Sequence, residues 1–381
     1  MKKVLLVATV QSHIAQFHRP LAELLHAYGY EVHVAARNNL AEKNGMRLDF
    51  ADKIYDVPFS RSPKSMENIR AYRTMKRILA REYYDIVHCN TPMGGIVARL
   101  AARKFRKKGT KVFYTAHGFH FYEGAPRKNW LIIYPLEKLF SRITDKLITI
   151  NLEDYKLASE KFLCPVAHIH GVGVDETRYH PVSQPEKEAL RKTMGFGNNQ
   201  KIILCIGELL PNKNQSMAIQ MMEIVLREYP DSVLLLAGNG PNRADLERLI
   251  EKMNLQEHVR LLDYCTCLEK YQQAADIVVS CSKREGLGLA VLEAMFSGNP
   301  VVATDNRGHR ELIQSGETGY LVAVNDTEMM ASIVIRQFQD VEKRKEMGLK
   351  ACAFAKRYGS VQVKRELEAI YFPHNDLSER K

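Results

Sequence analysis

The sequence predicts an α/β protein made of two doubly wound domains. Three features predict it: short runs of continuous apolar residues, amphipathic stretches alternating with them, and a turn-rich pause after which the alternation restarts. In the first half the apolar runs fall at 3–10, 31–35, 85–89, 111–115, 146–150 and 166–169. They are too uniformly apolar for strands with one solvated face, and they suit a parallel sheet covered on both sides. Stretches at 15–28, 93–105, 129–142 and 152–160 carry the helical period between them. The pause is His180-Pro181-Val182-Ser183-Gln184-Pro185, followed by Gly195-Phe196-Gly197-Asn198-Asn199. Strands resume at 201–206, 232–237, 259–262, 276–280, 300–303 and 320–322, with helices near 214–227, 243–253, 289–297 and 327–338. A long helical stretch runs from about 343 to 370. The expected organisation is a Rossmann-like domain over 1–180, a linker over 181–200, a second Rossmann-like domain over 201–360, and a helix end with tail over 361–381. Two such domains are expected to leave an interdomain cleft at the carboxyl ends of their strands, where open α/β sheets bind ligands.

Bulk properties narrow the function. The 381 residues suffice for two domains, and 45% hydrophobic with 26% charged residues is a globular balance rather than a disordered one. The net charge of +11 is unevenly placed. Residues 1–180 hold 29 Lys and Arg against 17 Asp and Glu, whereas 181–381 hold 26 against 27. A basic first half attracts nucleic acid, anionic lipid or a phosphorylated substrate. The seven cysteines include no C-x-x-C pair and sit mostly in apolar contexts such as Leu204-Cys205-Ile206, as expected of reduced thiols in a cytoplasmic protein. The apolar run at 4–10 ends at Gln11-Ser12-His13 with no small-residue cleavage site, so it reads as a first strand rather than a leader. No run reaches the roughly 20 apolar residues that cross a bilayer.

The most informative segment is Ser282-Lys283-Arg284-Glu285-Gly286-Leu287-Gly288-Leu289-Ala290-Val291-Leu292-Glu293. It follows the strand expected at 276–280. Gly286 and Gly288 let the backbone approach a ligand closely. The helix start at Leu289 and Ala290 then offers unpaired N–H groups and a positive dipole end, which suit a diphosphate. Glu293 can accept hydrogen bonds from ribose hydroxyls, and Glu285 can hold sugar hydroxyls. The plain alternative is a glycine-rich loop with a surface acid and a helix acid. No D-x-D triplet occurs to hold a divalent metal on a diphosphate, so leaving-group charge must be met by cationic side chains and the helix start.

Glu285-x7-Glu293, with Glu-Ala-Met-x-x-Gly and Pro300-Val301-Val302-Ala303-Thr304, resembles the family 4 retaining glycosyltransferases of the GT-B fold. Four further segments carry the resemblance through most of the chain. They are Gly171-Val172-Gly173-Val174-Asp175, Gly238-Asn239-Gly240-Pro241, Gly308-His309-Arg310-Glu311-Leu312-Ile313 and Gly316-Glu317-Thr318-Gly319-Tyr320-Leu321-Val322. Within the family it is similar to enzymes of bacterial exopolysaccharide synthesis. The resemblance implies a nucleotide diphosphate sugar donor, foremost a UDP-hexose or UDP-N-acetylhexosamine. It also implies retention of anomeric configuration, with no metal and no cofactor. It places Glu285 on the donor sugar, Glu293 on the ribose, the backbone of Leu289 and Ala290 on the diphosphate, and Lys213, after Gly207, on the leaving phosphate. An arginine usual in the family directly after that glycine is Glu208 here, which leaves Arg284 and Arg310 as candidates for the second cation. In Tyr114-Thr115-Ala116-His117-Gly118-Phe119-His120 the resemblance gives His117 a role at the reacting sugar and acceptor, with His120 lining the same pocket. The loop Gln11-Ser12-His13 lacks the paired glycines common in the family, and His13 is a candidate for the donor phosphate or the acceptor.

Three basic clusters crowd the first half: Arg70, Arg73, Lys76, Arg77 and Arg81; Arg99, Arg103, Lys104, Arg106, Lys107 and Lys108; and Arg127-Lys128 leading into Asn129-Trp130-Leu131-Ile132-Ile133-Tyr134. Together they are expected to hold the first domain on an anionic membrane, at the inner face of the plasma membrane, which suits a polyprenyl-diphosphate-linked saccharide acceptor. The alternative is a solvated basic face with residues 130–134 packed inside. Three rival functions remain at this level: a GT-B nucleotide-sugar epimerase, a basic nucleic-acid-binding protein, and a non-catalytic partner subunit. Against nucleic acid, the sequence has no helix-turn-helix, zinc or RNP-type signature and one tryptophan.

Overall fold

A computed structural model describes residues 1–43, 46–197 and 199–373. The chain forms two compact α/β units, Met1–Gly173 with the segment that begins at Ser360, and Val174–Gly359. In the first unit the strands are β1 (Lys2–Val10), β2 (Tyr30–Arg37), β3 (Lys53–Asp56), β4 (Ile86–Asn90), β5 (Lys111–Ala116), β6 (Lys146–Thr149) and β7 (Val166–His168). They form one parallel sheet in the order β3-β2-β1-β4-β5-β6-β7. Its helices are α1 (Gln11–Phe17), α2 (Arg19–Ala27), α3 (Glu67–Arg81), α4 (Pro92–Arg106), α5 (Tyr134–Ser141) and α6 (Leu152–Lys161).

The second unit repeats the plan. Strands β8 (Ile202–Ile206), β9 (Val233–Ala237), β10 (Val259–Leu262), β11 (Ile277–Ser280), β12 (Val301–Thr304) and β13 (Gly319–Val322) pair in parallel in the order β10-β9-β8-β11-β12-β13. Helices α7 (Gln184–Thr193), α8 (Gln215–Glu228), α9 (Arg243–Lys252), α10 (Leu268–Ala274), α11 (Leu289–Phe296), α12 (Arg307–Leu312), α13 (Thr327–Gln339) and α14 (Val341–Ala355) cover it, and α15 (Ser360–Tyr371) belongs to the first unit. Inner strands are buried along most of their length, β4 and β9 in all five residues, as covering on both faces requires. Strand order reverses between β1 and β4 and again between β8 and β11, the switch points at which such sheets bind ligands.

The units divide differently from the expected boundaries. The segment expected as a linker over 181–200 holds α7, inside the second unit. Its two prolines suggest turns, but Ser183 and Glu186 form a reciprocal capping box with Pro185 in the first turn, so the segment starts a helix. The long helical stretch expected over 343–370 is two helices broken at Lys356–Tyr358 and Gly359, and α15 packs on the first unit. There Glu366 accepts hydrogen bonds from the His170 backbone N–H (2.8 Å) and from ring Nδ1 (2.7 Å). Of the expected linker, Asn198 lies outside the described residues, as do 374–381 of the expected tail. The helix expected over 15–28 begins at Gln11 and breaks at His18, because Pro20 lacks the N–H that would continue α1. His13 thus sits on a helix rather than in a loop. Strand β3 escapes the apolar-run criterion because it is a largely exposed edge.

One member of the expected basic surface is inside. Arg99 is 1% exposed, donates to the Gly95 carbonyl (3.0 Å) and pairs with the buried Glu137 carboxylate (2.8 Å). Its guanidinium lies 4.1 Å from the Tyr114 ring centre. Glu137→Ala would strand a buried cation at a cost of about 3–5 kcal/mol, whereas replacing both partners by apolar residues should recover most of that loss. Urea denaturation of the wild type, Glu137→Ala and Arg99→Met/Glu137→Leu proteins checks this.

Candidate functional site

In the second unit, the segments that follow β8 and β11 bring Lys213 and Glu285 together. Lys213 lies after β8, in the turn before α8. Its aliphatic stem covers Gly207 so closely that a Cβ there would lie 3.2 Å from it. Its ammonium donates to Glu285 Oε1 at 2.5 Å. Glu285 lies after β11, and the two loops are stitched together: the Lys283 backbone N–H donates to the Asn212 carbonyl (2.8 Å), and the Asn212 amide donates to the Arg284 carbonyl (2.9 Å). Burial raises the Glu285 carboxyl, but the Lys213 ammonium, the Ser282 hydroxyl and His309 together hold it below its ordinary value.

Gly288 caps α11 in a left-handed conformation, φ +103°, which a side chain would strain. The first turn of α11 then presents the N–H groups of Leu289 and Ala290, which have no intrahelical acceptor. Gly308, on α12, approaches the Glu285–Leu287 loop so closely that a Cβ would lie 2.7 Å from the Glu285 Cβ. Next to it, His309 is fully buried. Its Nδ1 lies 2.7 Å from the Thr304 carbonyl and Nε2 lies 3.1 Å from the Ser280 hydroxyl, so Nδ1–H donates and Nε2 accepts. Burial lowers its pKa despite the Thr304 bond. Glu293, on α11, is half-buried beside Tyr179, which donates to it, and Arg178. Burial outweighs both and raises its pKa to about 7.

The two candidates for a second cation differ. Arg310 is mostly exposed and pairs with Asp305 at 2.5 Å. Arg284 is half-buried, with its backbone held by Asn212. Gly286 sits between Glu285 and the buried Leu287.

In the first unit, His13 on α1 and His117 after β5 meet at 3.3 Å between Nε2 atoms. His117 Nε2 also lies 3.2 Å from Asn90 Oδ1, at the end of β4. Burial leads in lowering both histidines, His117 to about 4, so both are neutral at pH 7. His18 is the third ring of this group, with one nitrogen from each ring within 4.8 Å of the others, and the His120 carbonyl accepts from the Asn129 amide (2.6 Å). Thr91, next to Asn90, has φ +62° and ψ 150°, a conformation rare for a β-branched residue. Its hydroxyl accepts from the Thr9 backbone N–H at 3.0 Å, which ties the start of α4 to β1.

The model for glycosyl transferases group 1 matches residues 186–353, and that for glycosyl transferase 4-like proteins matches residues 3–151. The chain is 39% identical to "Putative glycosyltransferase EpsD" of Bacillus subtilis (strain 168), over 100% of this chain and 99% of that protein. This chain belongs to the family 4 glycosyltransferases. The enzyme is also 27% identical to the Escherichia coli UDP-Gal:alpha-D-GlcNAc-diphosphoundecaprenol alpha-1,3-galactosyltransferase, over 80% of each chain. Its fold matches Anabaena HepE in complex with UDP and glucose, with a TM-score of 0.77 at 19% identity over 97% of this chain and 99% of that one. It also matches WaaG, a glycosyltransferase involved in lipopolysaccharide biosynthesis, with a TM-score of 0.75 at 16% identity over 97% and 99%. The fold is GT-B.

His309 lies in a segment that carries the family resemblance but has no marked part there, and Asn90, His18 and Tyr179 carry no motif in the sequence. The Gly-His pair at 308–309 was the one available signal, since a glycine beside a histidine marks close packing. Nothing local marks the others, which are brought in from neighbouring strands and helices.

Glu293 makes stability fall with pH. Its folded pKa lies above the ordinary carboxyl value, so the protonated form is favoured in the fold. The contribution is complete below about pH 4.5 and is lost as pH rises to about 7, by up to about 3 kcal/mol. Glu293→Gln should flatten this part of the profile, read by urea denaturation at pH 5 and pH 7.5.

Proposed function

We propose that the enzyme transfers a sugar, with retention, from a UDP-hexose or UDP-N-acetylhexosamine to a polyprenyl-diphosphate-linked saccharide in exopolysaccharide synthesis. The observation that carries this is the Lys213–Glu285 pair beside the Gly288-capped start of α11. The combination supplies one cation, one sugar-directed carboxylate and a set of free N–H groups, the parts a nucleotide sugar requires. The Escherichia coli relative, whose name specifies a UDP-galactose donor and an undecaprenyl-diphosphate acceptor, supports the substrate classes.

In this reading the first turn of α11 binds the diphosphate and Lys213 meets the leaving phosphate. Glu285 holds donor-sugar hydroxyls, Glu293 holds the ribose, and His117 serves the reacting sugar. The acceptor hydroxyl attacks the anomeric carbon from the side the leaving group departs. The new glycosidic bond forms as the bond to phosphate breaks, and the departing diphosphate takes the acceptor proton. No protein nucleophile takes part. Arg284 and Arg310 remain the candidates for a second positive contact.

Membrane docking through the first unit belongs to the same proposal. Arg70, Arg73, Lys76, Arg77 and Arg81 are all exposed on α3. Between residues 127 and 142 the packing is divided: Trp130 and Tyr134 lie against the core, whereas Leu131, Ile132 and Leu139 are 76%, 66% and 56% exposed. Arg127, Lys128 and Arg142 are exposed around them. An apolar ridge with cations beside it suits an anionic lipid surface.

A donor panel with a lipid-linked acceptor, read by nucleotide diphosphate release, tests the chemistry. Glu285→Ala and Lys213→Ala should each cut turnover by about 100-fold or more with thermal stability kept, and a chelator should leave wild-type turnover intact. Epimerised donor in the absence of acceptor would overturn the transferase reading. In vesicle sedimentation, Leu131→Ser/Ile132→Ser should weaken binding to anionic vesicles, and high salt should weaken it in the wild type. Equal partition onto neutral vesicles would argue against this membrane role.

A further inference from the structure

The proposed transfer uses His117, but the structure gathers more imidazoles around it than that role needs. We propose that His13, His18 and His117 form a binding site for one divalent transition-metal ion, Zn2+ in preference, with three ring nitrogens as ligands and one coordination position open. One nitrogen from each ring lies within 4.8 Å of the other two. For His13 and His117 the separation is 3.3 Å between Nε2 atoms, which matches the spacing of about 3.3 Å between two ligands in a tetrahedral site with Zn–N bonds of about 2.0–2.1 Å. Two of the ligands are therefore in place, and the His18 ring has to close by about 1.5 Å at most.

A second observation points to a ligand. His18 is 5% exposed, and its Nε2 makes no hydrogen bond to any described residue, although Asn90 interacts with the ring. An unsatisfied buried nitrogen costs about 1–3 kcal/mol, which coordination would recover. The neighbouring His88 is occupied otherwise, with Nε2 2.7 Å from the Thr115 hydroxyl and Nδ1 2.5 Å from the Tyr371 hydroxyl. It packs against His18 with ring centres 5.7 Å apart and supports the ligand instead of competing for the ion. Three nitrogens with no carboxylate select a borderline metal over Mg2+ or Ca2+. Coordination by His117 Nε2 replaces its contact with Asn90 and places the ring proton on Nδ1, so no net proton has to leave.

On the functional reading above, on which this consequence rests, metal occupancy withdraws His117 from the sugar and inhibits transfer. The site is distinct from a metal on the donor diphosphate, which the proposed reaction does not call for. The test uses Co2+ as a coloured stand-in for Zn2+ on the metal-stripped full-length protein. One equivalent should bind with the d–d absorption of a four- or five-coordinate ion, be displaced by Zn2+, and be unaffected by Mg2+. His18→Gln and His13→Gln should each weaken binding by at least about tenfold, whereas His26→Gln, exposed and paired with Asp52, should not. Two ligand variants keep the test open if one fails to fold. No saturable Co2+ binding, or unchanged binding in both variants, would overturn the site. Zn2+ that binds in this way but leaves transfer untouched would overturn the role of His117 and not the site.

Discussion

The parallel register of the two sheets is the constraint on which everything else depends. Strands that all run one way need a crossover after each, so within each sheet the connections leaving the strands emerge at one edge. That edge is where His13, Asn90 and His117 arrive in the first unit and where Lys213, Glu285 and His309 arrive in the second. None of these residues is near its partners in sequence. Lys213 and Glu285 are 72 residues apart, yet they pair because β8 and β11 are neighbours across the switch point. The apolar cost of the architecture is met by strands buried on both faces. The polar return is a set of loops held at fixed separations.

Those loops are held by backbone as well as side chain. The bonds between 212 and 283–284 fix the Lys213 turn against the Glu285 turn, so the ion pair is a consequence of loop geometry rather than its cause. Gly308 and Gly288 serve the same end by letting α12 and the start of α11 approach without a Cβ between them. Thr91 does the converse in the first unit. A β-branched residue in a strained conformation persists only where its surroundings demand it, and here its hydroxyl is committed to β1 while Asn90 is aimed at His117.

Much of this was legible in the chain. Continuous apolar runs show strands when both faces are covered, which is why twelve of the strands follow from the sequence and the exposed edge strand Lys53–Asp56 does not. Glycine-rich spacing marked Glu285, Glu293 and Gly288, because a backbone that needs glycine leaves a local trace. Charge proved a poorer guide to place: Arg99 reads like its cationic neighbours, and only its position on the inner side of α4, opposite Glu137 and Tyr114, makes it a core residue. His18 and Asn90 left no trace, since their part comes from which strand lies beside which. The return of α15 to the first unit was hidden in a continuous helical pattern broken only at Lys356–Gly359.

The second unit holds two carboxylates in opposite states, and the contrast bears on how a donor would be received. Burial pushes both upward. Glu285 has an ammonium against it and stays an anion, whereas Glu293 has only a phenol and a guanidinium already engaged with Glu269 at 2.7 Å, and it titrates near neutrality. An anion can only accept hydrogen bonds, which suits a carboxylate facing several sugar hydroxyls. A carboxyl poised near pH 7 can donate or accept, which suits a ribose diol. On the proposed reading the incoming diphosphate competes with Glu285 for Lys213. The ammonium then shifts from carboxylate to phosphate, and the oxygen it leaves becomes free for the sugar. The same ion pair that keeps Glu285 charged before binding thus releases both of its members to the donor, and this exchange limits the desolvation cost of bringing a dianion to a buried edge.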